Sequence, residues 1–130
     1  MSFTTAFPIL HTDDLKRLVT FYSTVMGLPV TYQSPAEGEP EFVTVGVGDS
    51  TIGLGAYTSV ERFVGTVTHG GRPFQLCLYT DDLDADLRRL RDAGVMVHLE
   101  PVEQPWNERL CYIADPDGNL IMLAQPWGGG

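Results

Sequence analysis

The apolar residues of this chain fall into two rhythms. Around Asp115-Pro116-Asp117-Gly118 lie two short β-prone runs, residues 109–114 and 119–124, which read as strand, tight turn, strand. Pro116 presets φ for the turn and Gly118 supplies the positive φ that a reversal needs. Alternation along a strand puts Leu120, Met122 and Ala124 on one face and Ile121 and Leu123 on the other, while parity alone leaves Tyr112 unassigned. Elsewhere the spacing is helical. Leu15, Leu18, Tyr22, Val25 and Met26 form one stripe ending at Gly27, and Leu83, Leu87 and Leu90 form another ending at Gly94. Each predicts an amphipathic helix that buries those residues against a sheet. Further strands are predicted at residues 28–33, 42–47, 51–56 and 95–99, separated by Pro, Gly and acidic turns.

Ordered this way, the chain repeats itself. Ile9-Leu10-His11-Thr12-Asp13-Asp14-Leu15 is echoed by Cys77-Leu78-Tyr79-Thr80-Asp81-Asp82-Leu83, with Thr-Asp-Asp-Leu identical in both. Each copy is a strand feeding a helix, with Thr12 or Asp13, and Thr80 or Asp81, placed to accept from first-turn amides and the extra carboxylate complementing the helix dipole. The expected organisation is one α+β domain built of two βαβββ modules, about residues 4–57 and 73–125. Residues 58–72 are the least periodic stretch and read as a connector, with Phe63 and a His69-Gly70-Gly71 turn, lying over a cavity mouth. Residues 126–130 read as a frayed tail, apart from the Trp127 indole.

Composition narrows the choices mainly by exclusion. At 43% hydrophobic and 19% charged over 130 residues, the chain carries too little charge for disorder and is long enough to bury its own core. No apolar run approaches a membrane span, and the first residues lack a basic segment followed by an apolar core, so a cytoplasmic protein is expected. A net charge of -9 argues against nucleic acid, whose phosphates need a basic face, and leaves a neutral or cationic small partner. Cys77 and Cys111 both sit in apolar strand-like runs and are expected as buried free thiols.

The tandem βαβββ order resembles the vicinal oxygen chelate superfamily of glyoxalases, extradiol dioxygenases, fosfomycin-modifying transferases and bleomycin-resistance-type binding proteins. The resemblance spans nearly the whole chain and rests also on Phe21-Tyr22 and Met26-Gly27-Leu28 closing the first helix and on Asp115-Pro116-Asp117-Gly118-Asn119 before the last strand. It implies sheets curled into a cup with helices outside. In that family's enzymes it implies a divalent metal held from the first, fourth, fifth and eighth strands. Carried over singly, the first-strand position is Phe7, seven residues before Asp14, and the fifth-strand position is Gln75, at the same offset from Asp82. The fourth-strand position is Gly53 and the eighth is Met122, four residues after Gly118. Neither a phenyl ring nor a bare glycine ligates, an amide oxygen is a poor ligand alone, and a thioether suits an apolar wall better than Zn, Ni, Mg or Fe(II). No metal and no cofactor are expected.

Other chemistry is harder to locate. His11, His69 and His98 match no ligand spacing and read as structural or surface residues. Asp13-Asp14 and Asp81-Asp82 are explained by capping, and Glu100 and Glu103 by a solvated loop, which leaves no catalytic pair. The expected ligand wall is aromatic and apolar, from Phe7, Tyr32, Phe42, Tyr57, Tyr79, Trp106 and Met122, with Gln75 and Arg109 as polar handles. The segment Pro105-Trp106-Asn107-Glu108-Arg109 resembles the Trp-Gly-x-Arg stretch of many relatives, with Asn107 in place of glycine. Two function classes follow. One is a homodimeric, non-catalytic protein that sequesters an aromatic, cationic antibiotic or secondary metabolite, as the resemblance to the bleomycin-resistance branch implies. It accounts together for lost ligands, aromatic walls and acidity. The other is a lyase, isomerase or oxygenase with an unmatched metal site, or a metal-free catalyst using Gln75, Tyr79 or His11.

Overall fold

The structure is a computed structural model that describes residues 5–71 and 75–126, so Arg72, Trp127 and the tail at 127–130 lie outside the described residues. The chain divides into two units, residues 1–71 and 72–130. The first contains β1 (Ile9–Thr12), α1 (Leu15–Thr20), β2 (Val30–Ser34), β3 (Phe42–Val47), β4 (Ser50–Ala56) and α2 (Tyr57–Val64). The second contains β5 (Leu76–Tyr79), α3 (Leu83–Asp92), β6 (Val97–Gln104), β7 (Glu108–Ala114) and β8 (Leu120–Pro126). Each unit forms a four-stranded mixed sheet, in the order β1-β4-β3-β2 or β5-β8-β7-β6, with its first and last strands parallel and the other pairs antiparallel. The two units therefore share one βαβββ topology.

The sequence repeat is visible as a repeated hydrogen-bond device. Thr12 Oγ1 accepts from the Asp14 amide at 3.0 Å, and the Asp14 carboxylate accepts from the Arg17 amide at 3.1 Å. Thr80 Oγ1 accepts from the Asp82 amide at 3.1 Å, and Asp82 from the Ala85 amide at 3.1 Å. The helix caps are thus Asp14 and Asp82, one or two residues beyond the expected Thr12 or Asp13 and Thr80 or Asp81. The threonine instead fixes the amide of the capping residue. Both helices stop where expected, at Gly27 and Gly94, which adopt φ of 78° and 83°.

Each helix covers one sheet face. Leu15, Leu18, Phe21 and Tyr22 are buried with Leu10, Val43, Val45, Ile52 and Leu54 of the first sheet. Leu83, Leu87 and Leu90 are buried with Leu76, Ile113, Ile121 and Leu123 of the second. Burying such a side chain contributes about 1.5–3 kcal/mol, so these stripes anchor the helices. The first helix departs from its predicted stripe. Residues Phe21–Val25 form a π-helical turn, with the Met26 amide donating to the Phe21 carbonyl at 2.9 Å. The widened turn brings both Phe21 and Tyr22 into the core, edge to face at 5.0 Å, and leaves Val25 and Met26 only half-buried.

Three further expectations change. Residues 57–64 are the helix α2, not irregular connector; its apolar residues Tyr57, Val60 and Val64 fall at helical spacing, yet none of its residues is buried and Phe63 is 82% exposed. Strand β6 runs on through Glu100 and Glu103, which were expected in a loop. Register shifts between Val97 and Leu99 and between Leu99 and Val102 break the alternation that would have revealed it. Cys111 is buried as expected, but Cys77 is an exposed free thiol because its strand position faces away from α3. Among the described residues, no helix is long and apolar enough to cross a membrane.

Candidate functional site

The face of each sheet opposite its helix mixes exposed side chains with buried Thr44, Leu110 and Ala124. In the first unit, β3 sets Phe42 and Thr44 opposite Gly55 and Gly53 of β4. A Cβ at Gly53 would lie 2.9 Å from Ile9 Cγ1 and 3.1 Å from Phe42 Cε1, so the missing side chain is what lets the Phe42 ring and Ile9 pack over β4. Tyr32 stands 6.3 Å from Phe42 between ring centroids and is 57% exposed. Thr31 and Thr44 share a hydroxyl hydrogen bond of 2.7 Å. Phe7 lies just before β1 and is exposed.

Tyr57 is committed elsewhere in this unit. Its ring stacks on His69 at 3.7 Å and lies 5.7 Å from His11, and its hydroxyl accepts from the Gly70 amide at 3.0 Å. His69 is clamped between Asp13 and Glu61, 3.2 Å from each. The Val67 amide and then His69 hold the Glu61 carboxyl below its ordinary range. These contacts fasten the segment after α2 to its own unit. They give His11, Tyr57 and His69 a structural role.

The second unit presents a different surface. The register Tyr112↔Met122↔Cys77 and Leu110↔Ala124↔Tyr79 places these residues on one face of β7, β8 and β5. Gln75 donates its amide to the Tyr112 hydroxyl at 2.9 Å. At the other end of the face, the β6–β7 turn holds Trp106, 60% exposed, whose indole N–H donates to Glu108 Oε1 at 2.8 Å. Asn107 completes that turn at φ 64°, the left-handed conformation that asparagine tolerates better than other side-chain-bearing residues, which explains how it stands in for glycine. Tyr79 stands on the same face, and the Glu108 carboxylate raises its phenol above the ordinary pKa. Partial burial, then Glu108, raises the Cys77 thiol as well.

Arg109 does not join this face. Alternation turns it toward α3, where its guanidinium donates to Asp84 at 3.1 and 3.2 Å. There it borders a recess of about 610 Å³ lined by Asp81, Asp82, Asp84, Glu103 and Gln125. The recess is tied to helix support, since Gln125 accepts from the Leu83 amide and donates to the Asp81 carbonyl, both at 2.8 Å. Arg109 as a handle on the aromatic wall is therefore corrected by strand parity.

A family model, that of the glyoxalase/bleomycin resistance protein/dioxygenase superfamily, matches residues 5–123. The chain belongs to this superfamily. Among its relatives is the uncharacterised protein YraH of Bacillus subtilis, 28% identical over 120 residues, 88% of this chain and 91% of that protein. The crystal structure of a glyoxalase/bleomycin resistance protein/dioxygenase from Nocardioides superposes with a TM-score of 0.76 at 22% identity, covering 100% of this chain and 88% of that one. A lactoylglutathione lyase from Agrobacterium tumefaciens gives 0.72 at 24%, covering 96% of each. These likenesses support the fold.

The superfamily's metal can be tested against the side chains present. At the first- and fourth-strand positions stand Phe7 and a Gly53 whose side-chain space is filled by Ile9 and Phe42. At the fifth- and eighth-strand positions stand Gln75, whose amide is engaged by Tyr112, and a thioether, Met122. Among the described residues, no three His, Cys, Asp or Glu side chains gather as a metal site requires. The donor set does not fit a hard divalent cation. Glu108 and Tyr112 are the site residues that the sequence reading left out. The Asp115–Gly118 turn carried the signal, because its register pairs Tyr112 with Met122 and sets Glu108 on the same parity.

Proposed function

We propose that this chain is a metal-independent binding protein that sequesters an aromatic, positively charged antibiotic or secondary metabolite and releases it unchanged. The observation that carries the reading is the replacement of the matched ligand positions by Phe7, Gly53 and Met122, which cannot hold a hard cation, and by Gln75, a poor ligand alone, beside exposed Trp106 and Tyr79. Large rigid rings give contact area at low entropic cost, and Trp106 is the main anchor. Tyr32, Phe42 and Phe7 offer further apolar contact on the first unit, and Gln75 and Met122 on the second. A homodimer with two equivalent sites accompanies the proposal, since each sheet has two edge strands, β1 and β2 or β5 and β6, that pairing with a second copy can cover.

A thermal-shift screen of planar aromatic cations, followed by titration of the best hit, tests this. Trp106→Ala should fold normally and bind roughly thirtyfold more weakly, the loss of about 2 kcal/mol typical of an aromatic anchor. The ligand recovered from the complex should keep its mass. A ligand returned chemically altered identifies an enzyme and overturns the reading.

A further inference from the structure

Glu108 opens β7 with its side chain on the face shared by Leu110 and Tyr112, away from α3. The Trp106 indole N–H donates to Glu108 Oε1 at 2.8 Å, a neutral donor that orients the carboxylate, and Tyr79 stands on the same face of the sheet. The indole is thereby held by its polar edge. With Trp106 60% and Tyr79 61% exposed, they keep surface open to solvent beside that charge. A cation set against the two rings gains from their quadrupoles and from the carboxylate together, whereas an anion meets Glu108 and a chain of net charge -9.

The hydrogen bonding also selects among cations. With Oε1 already accepting from the indole, a cation that needs N–H acceptors has to share that oxygen. A quaternary ammonium needs no acceptor and loses nothing by that. Resting on the binding function proposed above, we propose that Trp106, Tyr79 and Glu108 form a recognition site for the alkylated ammonium group of an organic cation.

The test compares 3-hydroxyphenyltrimethylammonium with 3-tert-butylphenol, an uncharged probe of the same shape, each titrated into the intact chain near pH 6.5 while the Trp106 indole resonance is followed. The cation should bind about tenfold more tightly than the phenol, within the range of a partly exposed cation–π and charge contact. Glu108→Gln keeps a carbonyl acceptor for the Trp106 indole and removes the charge. It should lower cation affinity by about tenfold and leave the phenol unchanged, and added salt should weaken only the cation. Equal binding of the two probes by the parent, or undiminished cation binding by Glu108→Gln, overturns the ammonium site while aromatic binding stands. Failure of both probes to bind overturns the site and the proposed function together.

Discussion

The two units are built alike on one face and differently on the other. Toward the helix they correspond in detail: a threonine holding an aspartate cap, leucines on the stripe, and a positive-φ glycine as the stop. On the opposite face the middle of the first sheet is occupied from within, while Tyr32 stays exposed on its edge strand β2. Gly53 yields its space to Ile9 and Phe42, and Tyr57 is spent on His69. The second unit leaves rings and polar groups turned outward, in the pairs Gln75–Tyr112 and Trp106–Glu108. Folding constrains the helix-covered face through burial, while the opposite face is free to diverge. That is why one topology serves unrelated chemistries and why function has to be read from the face that the core does not use.

The largest expected effect tests the shared half of this comparison. Leu15→Ala and Leu83→Ala truncate corresponding, buried stripe residues and should each cost about 2–5 kcal/mol in denaturant unfolding. A marked inequality would show that the stripes are not equivalent. Gly53→Ala tests the divergent half. Its Cβ needs Ile9 and Phe42 to shift, so it should cost about 1–3 kcal/mol by overpacking, whereas Met122→Leu, a volume-conserving change on the second unit's face, should cost less than about 1.5 kcal/mol. A smaller and equal loss, about 1 kcal/mol, is expected for each of Asp14→Ala and Asp82→Ala, with hydrogen exchange quickening at the first turn of the matching helix.

The cysteines give the finest contrast, between the two faces of one sheet. Exposed Cys77 should alkylate in the native state and Cys111 only on unfolding. Burial pushes the Cys111 thiol from 9.0 up to about 11, so the folded state holds that proton more tightly than the unfolded one. The resulting stability is fully present below pH 9 and is lost as pH rises through 9 toward 11. Cys111→Ala should flatten that part of the stability–pH curve, as thermal unfolding at pH 8 and pH 11 would show.

The helix-covered faces were largely legible in the sequence because burial writes a period: Leu83, Leu87 and Leu90 are the buried residues of α3 as read. Phe21 escaped because a π turn shifts the period. α2 escaped because its apolar spacing, Tyr57, Val60 and Val64, lies within only 8 residues and buries nothing. The site was legible in part. Trp106 announced itself as a large ring in a turn, but Glu108 was given no role and Arg109 reads as a handle, since only the hairpin register tells which of two neighbours faces which way. Cys77 was misplaced for the same reason.

The central claim, binding without a metal, is tested most directly by elemental analysis of the purified chain, alone and after equilibration with Zn, Ni, Mn or Fe(II) and desalting. The account predicts no stoichiometric metal under any of these conditions and unchanged affinity for the aromatic cation when a chelator is present. One equivalent of tightly held metal, lost when Gln75 is changed to Ala, would contradict it.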